Sequence, residues 1–493
     1  MANPPPKVRW TVFAVLALLA FAVRLPQLGE RPMHTDESVN ASITGELLAG
    51  HAYHYDPQDR HGPALYMMAE PLVRMLGARN FADMTETQVR LMPVLTGTFT
   101  VLLFGAGVEM FGFVVCVAAA LLFAFAPLPL YYSRYFIHET LFVAATLGLV
   151  LSLWRMLETE SVLPAAVAGF YAALMLAVKE TCVIHFFALG IATIAFIWAR
   201  PRKPGASAMK VVLAAAVAFL LTTVLLFTWF GRDWRGLADL FRAIPSFTAR
   251  AGGEGHEKPA WYYAQLLGDG WSGATLAGLA VIGLGFVIYD FAREKIFGSR
   301  VFISIYAVVM AVVYCAIPYK TPWLALNFWL PMALLAGVAV TRVLEMTRPS
   351  AARWLWLLPA LLLVRAVRHD VQKRVFQFPA AEDNPYAYAH TGEDLLRLPE
   401  RLEQLAKERN LTQPLIAIVA ADAWPLPWYL RKFPRTGFWQ PGQDPGTADF
   451  FITSPEAAEK LGDRLKNCRP EFFGVRPEVL MILWAPAAKE VSP

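Results

Sequence analysis

Long uninterrupted runs of apolar residues dominate the first three-quarters of this 493-residue chain. A run of about 20 apolar residues is long enough to cross a bilayer as a helix. Pro359 and Arg365 interrupt the last of these runs. The pattern predicts about eleven spans, at residues 9–28, 90–108, 113–131, 140–157, 162–178, 181–199, 209–230, 271–290, 301–317, 323–341 and 351–366.

The pattern changes after residue 366. Short apolar runs in "PLIAIVA", "TADFFITS" and "EVLMILWA" predict strands, and "GEDLLRLPERLEQLAKER" and "PEAAEKLGDRL" have the helical period. Strands that alternate with helices indicate a small α/β domain. We therefore predict a mostly α, polytopic membrane domain over 1–366, with long loops at 29–89 and 231–270, and a soluble α/β domain over 367–493.

Basic residues set the predicted orientation in the membrane. If Lys7 and Arg9 are cytoplasmic, every second connection should be basic. The connections that satisfy this rule are "ARPRKPGASAMK" (199–210), "REKIFGSR" (293–300) and the stretch holding Arg342, Arg348 and Arg353. We expect a cytoplasmic N-terminus, an extracytoplasmic C-terminal domain and an uncleaved first span in an inner (cytoplasmic) membrane.

Composition agrees with a membrane protein and excludes several other classes. The chain is 56% hydrophobic and only 17% charged, against about 25% charged residues in soluble domains. Its net charge of +5 fits basic cytoplasmic loops and gives no reason to expect nucleic acid as a partner. The four cysteines form no CxxC pair, so the sequence predicts neither a disulfide framework nor a zinc site.

Polar clusters concentrate on the predicted outer side, which also holds all nine histidines. Ionisable groups at membrane depth are costly and usually functional, so we expect an outward-facing site. An enzyme there has no cytoplasmic nucleotide, and a lipid phosphate is the simplest activated donor. A carboxylate would take the acceptor's proton and cations would stabilise the leaving phosphate. The clusters are "MHTDESVN" (33–40), "HAYHYDPQDRHGP" (51–63), "YYSRYFIHE" (131–139), "VKET" (178–181), "GHEKPAWYY" (255–263) and "PYKTPW" (318–323).

Each cluster also has a structural interpretation. Asp36 is suited to cap a helix that begins with "ESVNASITGELLAG". Glu37 and Glu139 are candidates for buried ion pairs with Arg134 or Lys179. The remaining alternatives are metal binding by His51, His54 and His61, and extension of Lys179 and Lys320 to the membrane interface.

The "DE" pair in "RPMHTDESVN", followed by an amphipathic helix, resembles the GT-C superfamily of integral-membrane glycosyltransferases. Protein O-mannosyltransferases and the aminoarabinose transferases of lipid A share this layout. The chain is more similar to the bacterial and archaeal members labelled flippase-activity-associated proteins, over nearly its whole length. The segments that carry this likeness are "YDPQDRHGPALY", "YYSRYFIHE", "PYKTPW", "NPYAYAHT" and "WPLPWYLR".

The resemblance implies a GT-C transmembrane bundle and an inverting transfer of a hexosyl or pentosyl group. The donor would be a polyprenyl-phosphate sugar on the outer face of a bacterial or archaeal inner membrane, among membrane lipids. The acceptor would be a protein, a lipid or a polysaccharide. No cofactor is required by the sequence, and a divalent metal is left open. A flippase or transporter for a lipid-linked saccharide, and a non-catalytic assembly partner, are the alternatives, although charge gathered on one face favours catalysis.

The resemblance also implies roles for individual residues. Asp36 matches the acid usually taken as the catalytic base, Glu37 supports it, and Glu139 matches the acid of the second outer connection. No metal ligand is assigned. Arg134 and His138 lie beside Glu139 in the matching segment. From the outer polar clusters, and not from the resemblance, we choose Lys179, His256, Lys258 and Lys320 as candidate phosphate or sugar contacts. Tyr55 and His61 complete the candidate substrate contacts.

Overall fold

The computed structural model describes residues 3–58, 60–200, 208–250, 252–253, 255–347 and 351–487. Arg348, most of the predicted basic connection 199–210 and Asp59 of the predicted cluster 51–63 lie outside these ranges.

Helices make up most of the described chain up to residue 377. Short 3₁₀ turns precede two of them, at Pro322–Ala325 and Ala351–Trp356, and a π-helical turn follows at Gln372–Gln377. The α-helices are α1 (Pro6–Arg24), α2 (Thr35–Leu48), α3 (Ala64–Met75), α4 (Glu86–Ala106), α5 (Val108–Phe111), α6 (Phe113–Phe125), α7 (Pro127–Tyr132), α8 (Glu139–Thr159), α9 (Val162–Val178), α10 (Cys182–Ala199), α11 (Ala208–Phe227), α12 (Arg235–Arg250), α13 (Tyr262–Gly268), α14 (Gly270–Glu294), α15 (Ser299–Ala316), α16 (Leu326–Thr347) and α17 (Leu357–Val371).

Eight helices in the described ranges are long and apolar enough to cross a membrane: α1, α4, α8, α10, α11, α14, α15, and α16 with its 3₁₀ turn. The shorter helices α6 and α9 are also apolar. The predicted number of about eleven spans is not confirmed. The predicted run 113–131 divides into α6 and α7, because Ala126 is extended before Pro127. The predicted run 351–366 becomes a 3₁₀ turn and the shorter helix α17.

The membrane helices differ in how deeply they are buried. Helices α8 and α16 are mostly enclosed by other parts of the protein, whereas α1, α11 and α14 are largely exposed. Close approach between neighbours depends on glycine: a Cβ at Gly283 of α14 would lie 1.9 Å from the carbonyl oxygen of Leu335 in α16. Small residues at helix crossings allow backbones to meet closely in membrane proteins. Because other parts of the protein enclose most of their surface, helices α8 and α16 form the centre of the bundle.

The C-terminal part of the chain contains a five-stranded sheet of order β2-β1-β3-β5-β4. Strand β1 is parallel to β2 and β3, and β5 is antiparallel to β3 and β4. Its elements are α18 (Arg397–Glu408), β1 (Ile416–Val419), α19 (Leu426–Tyr429), β2 (Thr436–Trp439), β3 (Phe450–Thr453), α20 (Pro455–Leu461), β4 (Cys468–Arg476) and β5 (Val479–Pro486). The predicted strands match β1, β3 and β5, and the two predicted helices are confirmed.

The chain forms two compact units. The first unit comprises Met1–Leu28, His51–Leu72 and Arg90–Pro379, and contains the membrane helices. The second unit comprises Gly29–Gly50, Val73–Val89 and Ala380–Pro493, so it joins helix α2 to the sheet. The assignment of 1–366 to the membrane and 367–493 to the outside stays a prediction.

Candidate functional site

Helix α2 in the second unit begins with the two adjacent acids. Thr35 is its first residue and His34 is its cap: the His34 Nδ1 atom accepts a hydrogen bond from the Asp36 amide at 3.0 Å. The Glu37 carboxylate accepts a hydrogen bond from the His34 amide at 3.2 Å, which completes a capping box. The prediction that Asp36 caps this helix is therefore wrong. An imidazole nitrogen supplies the acceptor, and Asp36 lies inside the first turn.

The two acids have different surroundings. Glu37 is fully buried, and Nη2 of Arg31 lies 3.2 Å from both of its carboxylate oxygens. The Asp36 side chain is 46% exposed, and its carboxylate lies 4.0 Å from Nδ1 of His34. Glu37 thus stabilises the start of helix α2 and pairs with Arg31, a cation that the sequence pattern did not indicate. Asp36 projects a carboxylate that a substrate can reach.

The segment "NPYAYAHT" packs against the chain just before α2. The His34 Nε2 atom lies 2.9 Å from the Tyr388 carbonyl oxygen, and the Thr391 hydroxyl donates to the Met33 carbonyl at 2.6 Å. The rings of His34 and His390 lie 5.2 Å apart. Burial lowers the pKa of His34 more than the neighbouring carboxylates raise it. A neutral His34 can accept at Nδ1 and donate at Nε2, as both contacts require.

Two further parts of the second unit hold the same turn. The Tyr429 hydroxyl, in "WPLPWYLR", accepts a hydrogen bond from the Met33 amide at 2.8 Å. Arg476 at the end of β4 donates to the Thr35 hydroxyl at 3.2 Å and is paired with Asp422. The position of Asp36 therefore depends on residues from the far end of the sequence.

The first unit contains an ion pair between Glu139 and Lys179. Both side chains are nearly buried, at the start of α8 and just after α9. Burial alone would lower the pKa of Lys179, but the attraction and hydrogen bond of Glu139 outweigh it and raise this pKa. The structure thus forms the ion pair that the sequence analysis gave as the alternative to catalysis for Glu139, and a catalytic role stays a prediction.

Two of the candidate substrate contacts, Tyr55 and His61, bind the carboxylate of Glu180, which follows Lys179 in the sequence. The Tyr55 hydroxyl donates to Oε1 of Glu180 at 2.8 Å, and Nδ1 of His61 lies 2.8 Å from Oε2. Burial raises the pKa of Glu180, but His61 and the hydrogen bonds outweigh it and lower this pKa to about 2. Glu180 is a further candidate that was not predicted, and its signal in the sequence is its place in the "VKET" cluster beside Lys179.

The loop that carries His61 lies directly against helix α9. A Cβ at Gly62 would lie 2.3 Å from the Ala177 carbonyl oxygen, so only glycine permits this approach. The His61 ring also lies 4.9 Å from that of His138, edge to face. His138 is buried, and burial, with His61 and Lys179 nearby, holds its pKa well below the usual value. Within the described ranges its Nε2 atom has no hydrogen-bond partner.

His256, Lys258 and Lys320 are brought together by backbone pairing. The Lys320 amide donates to the His256 carbonyl at 3.0 Å, and the Lys258 amide donates to the Pro318 carbonyl at 3.1 Å. The Lys320 ammonium donates to the carbonyls of Lys258 and Ile317. The clusters "GHEKPAWYY" and "PYKTPW" thus form one antiparallel contact, which the sequence did not reveal.

Arg134 is engaged with backbone in the first unit. Its guanidinium donates to the carbonyls of Arg24 at 2.9 Å, Pro26 at 2.6 Å and Gln27 at 3.1 Å, and lies 4.7 Å from the Phe376 ring. These contacts fix the chain where it leaves α1. The predicted contact of Arg134 with substrate stays a prediction.

The three histidines of the possible metal site contact different partners or solvent. Nδ1 of His54 lies 2.8 Å from Asp233, His61 contacts Glu180, and His51 is exposed. Throughout the described ranges, no group of three or more His, Cys, Asp or Glu side chains is arranged to hold a metal ion.

Comparison with known proteins identifies the fold. No protein-family model matches the chain, and no curated protein matches its sequence. ArnT from Cupriavidus metallidurans, bound to undecaprenyl phosphate, is similar with a TM-score of 0.67 and 16% identity, over 97% of this chain and 99% of that one. The oligosaccharyltransferase AglB from Archaeoglobus fulgidus, in complex with an inhibitory peptide and a dolichol-phosphate, is similar with a TM-score of 0.54 and 13% identity, over 98% of this chain and 75% of that one. The predicted fold is confirmed: the chain has the fold of these two proteins, with helices that are long and apolar enough to cross a membrane.

Proposed function

We propose that the protein is a glycosyltransferase that moves a sugar from a polyprenyl-phosphate donor to an acceptor hydroxyl, with inversion, and that Asp36 is the base. One observation carries the assignment of the base: of two adjacent carboxylates, Glu37 is buried in an ion pair whereas Asp36 is held rigidly and stays accessible. The fold supports the reaction class. Undecaprenyl phosphate in ArnT and dolichol-phosphate in AglB support a lipid-phosphate donor.

The chemistry asks for one accessible carboxylate at a fixed position. The acceptor oxygen attacks the anomeric carbon from the side opposite the phosphate, and its proton passes to Asp36. The bond from the sugar to the phosphate oxygen breaks, and the lipid phosphate leaves with the bonding electrons. A carboxylate in the first turn of a helix is favoured by the positive end of the helix dipole, which suits an ionised base.

The remaining candidates would serve the substrates. Lys258 and Lys320, together with His256, are proposed contacts to the donor phosphate, since a developing negative charge is stabilised by cations held nearby. Tyr55 and His61, fixed by Glu180, are proposed contacts to the sugar. Four further candidates are proposed to hold these substrate contacts in position: Glu139, Lys179, His138 and Arg134.

The proposed setting is the outer face of a bacterial or archaeal inner membrane. With the N-terminus in the cytoplasm, the C-terminal domain over 367–493 would be extracytoplasmic, and a lipid-linked donor would be the activated sugar within reach there. The proposed transfer concerns a hexosyl or pentosyl group, and the acceptor would be a protein, a lipid or a polysaccharide hydroxyl.

The experiment uses the full chain in lipid nanodiscs with a panel of polyprenyl-phosphate hexoses and pentoses and a membrane extract as the acceptor source. Release of polyprenyl phosphate is measured for the wild type and for Asp36→Asn. A general base contributes roughly 10²–10⁴-fold to a rate, so we expect a loss of that size while donor binding is retained. Full activity of Asp36→Asn would refute the assignment of the base. Absence of transfer by the wild type, with movement of the lipid-linked sugar across vesicles, would favour the transporter instead.

A further inference from the structure

Helix α12, in the long loop after span α11, carries an apolar stripe on its exposed side. Trp234, at the residue before the helix, and Ala238, Phe241 and Pro245 follow one another at intervals of three or four residues, so they share one side of the helix. Trp234 is 64% exposed and Phe241 is 73% exposed. A helix on the surface of a soluble protein normally turns its apolar side to the core. Helix α12 instead leaves Trp234 and Phe241 exposed.

The opposite side of α12 packs against the protein, where Gly236, Asp239 and Ala243 are buried. Asp239 is buried, and its carboxylate lies 3.7 Å from Nε2 of His54, while Asp233 lies 2.8 Å from Nδ1 of the same ring. A Cβ at Gly236 would lie 2.1 Å from the Phe227 carbonyl oxygen. The helix is therefore pinned against the end of α11 in an orientation that leaves the stripe uncovered.

The neighbours of α12 place it at a membrane boundary. Helices α11 and α14 are successive spans, so the loop between them lies at one face of the bilayer. Trp261 is 63% exposed and Trp271, at the start of α14, is 84% exposed. Exposed tryptophans at the ends of spans mark the headgroup level. Because Gly236 is packed against the last residue of α11, the first turn of α12 lies at that level.

Positive charge borders the apolar stripe. Arg232, Arg235 and Arg242 are all exposed. Arg242 lies 2.8 Å from Asp239 but remains 75% exposed. An exposed apolar face edged by arginines is typical of helices that lie in the interface of membranes with anionic lipids. An exposed apolar face is unfavourable in water, and exposed arginines are unfavourable in the membrane interior. The combination therefore fits neither environment.

We propose that α12 is an interfacial helix that binds anionic phospholipids of the same bilayer, with Trp234 and Phe241 inserted at the headgroup boundary and Arg235 and Arg242 on the lipid phosphates. His54 links this helix to the segment 51–63, which carries Tyr55 and His61. Anionic lipid would thereby restrain the loop that carries two candidate substrate contacts. The proposal concerns membrane docking and does not depend on the proposed transferase reaction.

The test is the depth of a spin label on the full chain in nanodiscs. The label is attached through Ala238→Cys, which keeps Trp234 and Phe241, in a background of Cys315→Ser and Cys468→Ser. Thr447→Cys, at an exposed position of the second unit, is the matched control. We expect the label at 238 to collide more with oxygen than with a water-soluble nickel complex, and the label at 447 to show the opposite.

Lipid composition and charge complete the test. Insertion should be stronger with phosphatidylglycerol than with phosphatidylcholine alone, and each of Arg235→Gln and Arg242→Gln should weaken it about five-fold in phosphatidylglycerol. A label at 238 as open to the nickel complex as the label at 447 would overturn the proposal. So would a label protected from both reagents, because that result means that protein covers the stripe. No step requires substrate, so a failure here is distinct from a failure of the proposed reaction.

Discussion

The different surroundings of Asp36 and Glu37 predict opposite consequences for two very similar substitutions. Glu37→Gln removes the carboxylate whose two oxygens lie 3.2 Å from Nη2 of the buried Arg31 guanidinium. Breaking a buried ion pair by removing one partner costs about 3–5 kcal/mol. Asp36→Asn changes a half-exposed group at 4.0 Å from the nearest imidazole nitrogen. Its cost is the lost helix-dipole attraction, about 0.3–1 kcal/mol.

Thermal unfolding in detergent measures the stability of both variants, and release of polyprenyl phosphate measures their transfer activity. Glu37→Gln should lower the unfolding temperature clearly and reduce transfer in proportion to the folded fraction. Asp36→Asn should keep the unfolding temperature and lose transfer. Since two apolar groups can replace a buried pair with little loss, Arg31→Met with Glu37→Met should recover part of the lost stability.

A matched control comes from the same unit. Arg401 donates to both oxygens of Glu471 at 2.8 and 2.6 Å, but both side chains are about one-third exposed. Glu471→Gln removes one partner of this pair and should cost at most about 1 kcal/mol. The assigned roles would be refuted by a stable but inactive Glu37→Gln together with an unstable Asp36→Asn.

Two more substitutions follow from single contacts. Burial lowers the pKa of His34 below the usual histidine value of about 6.5. The folded protein therefore binds fewer protons than the unfolded chain, and stability should fall as the pH drops below about 6.5 through the folded pKa. His34→Asn, which keeps a capping acceptor but does not titrate, should remove that pH dependence in unfolding scans, and an unchanged slope would contradict the assignment. Gly62→Ala would place a Cβ 2.3 Å from the Ala177 carbonyl oxygen and should displace the loop, seen as a higher KM for the donor. Gly190→Ala, where nothing lies within 4 Å, is the control and should leave KM unchanged.

The sequence predicted the elements whose side chains are apolar on both faces or over a full span. Strand β3 was predicted from the short apolar run in "TADFFITS", and all four of its residues are buried in the structure; α8 was predicted because its apolar run is unbroken. Strands β2 and β4 were missed because each lies at an edge of the sheet and most of their residues are exposed or only partly buried. An edge strand with a solvated face lacks the apolar run on which such predictions depend.

For the site, the sequence supplied the chemical types but could not assign the roles. The pair of Asp36 and Glu37 stood out by composition and position. Which of them is neutralised depends on Arg31, and which residue caps α2 depends on the direction of the His34 ring. Glu180 was not predicted, because its partners Tyr55 and His61 are more than a hundred residues away in the sequence. Long-range packing decides these roles, and periodicity carries no information about it.

The C-terminal domain is therefore part of what positions the proposed base, and one residue tests this. The buried Thr391 hydroxyl donates a hydrogen bond to the carbonyl of Met33, which lies three positions before Asp36. The two residues are 358 positions apart in the sequence. Thr391→Val keeps the shape and leaves that carbonyl without its donor, which costs about 1–3 kcal/mol. Thr453→Val makes the same change at a buried threonine that accepts from Trp484 at 2.9 Å within the sheet. Both variants should lose similar stability, but only Thr391→Val should lower kcat with the donor KM unchanged. Equal loss of kcat in the two variants would mean that the domain contributes stability alone and does not hold Asp36 in place.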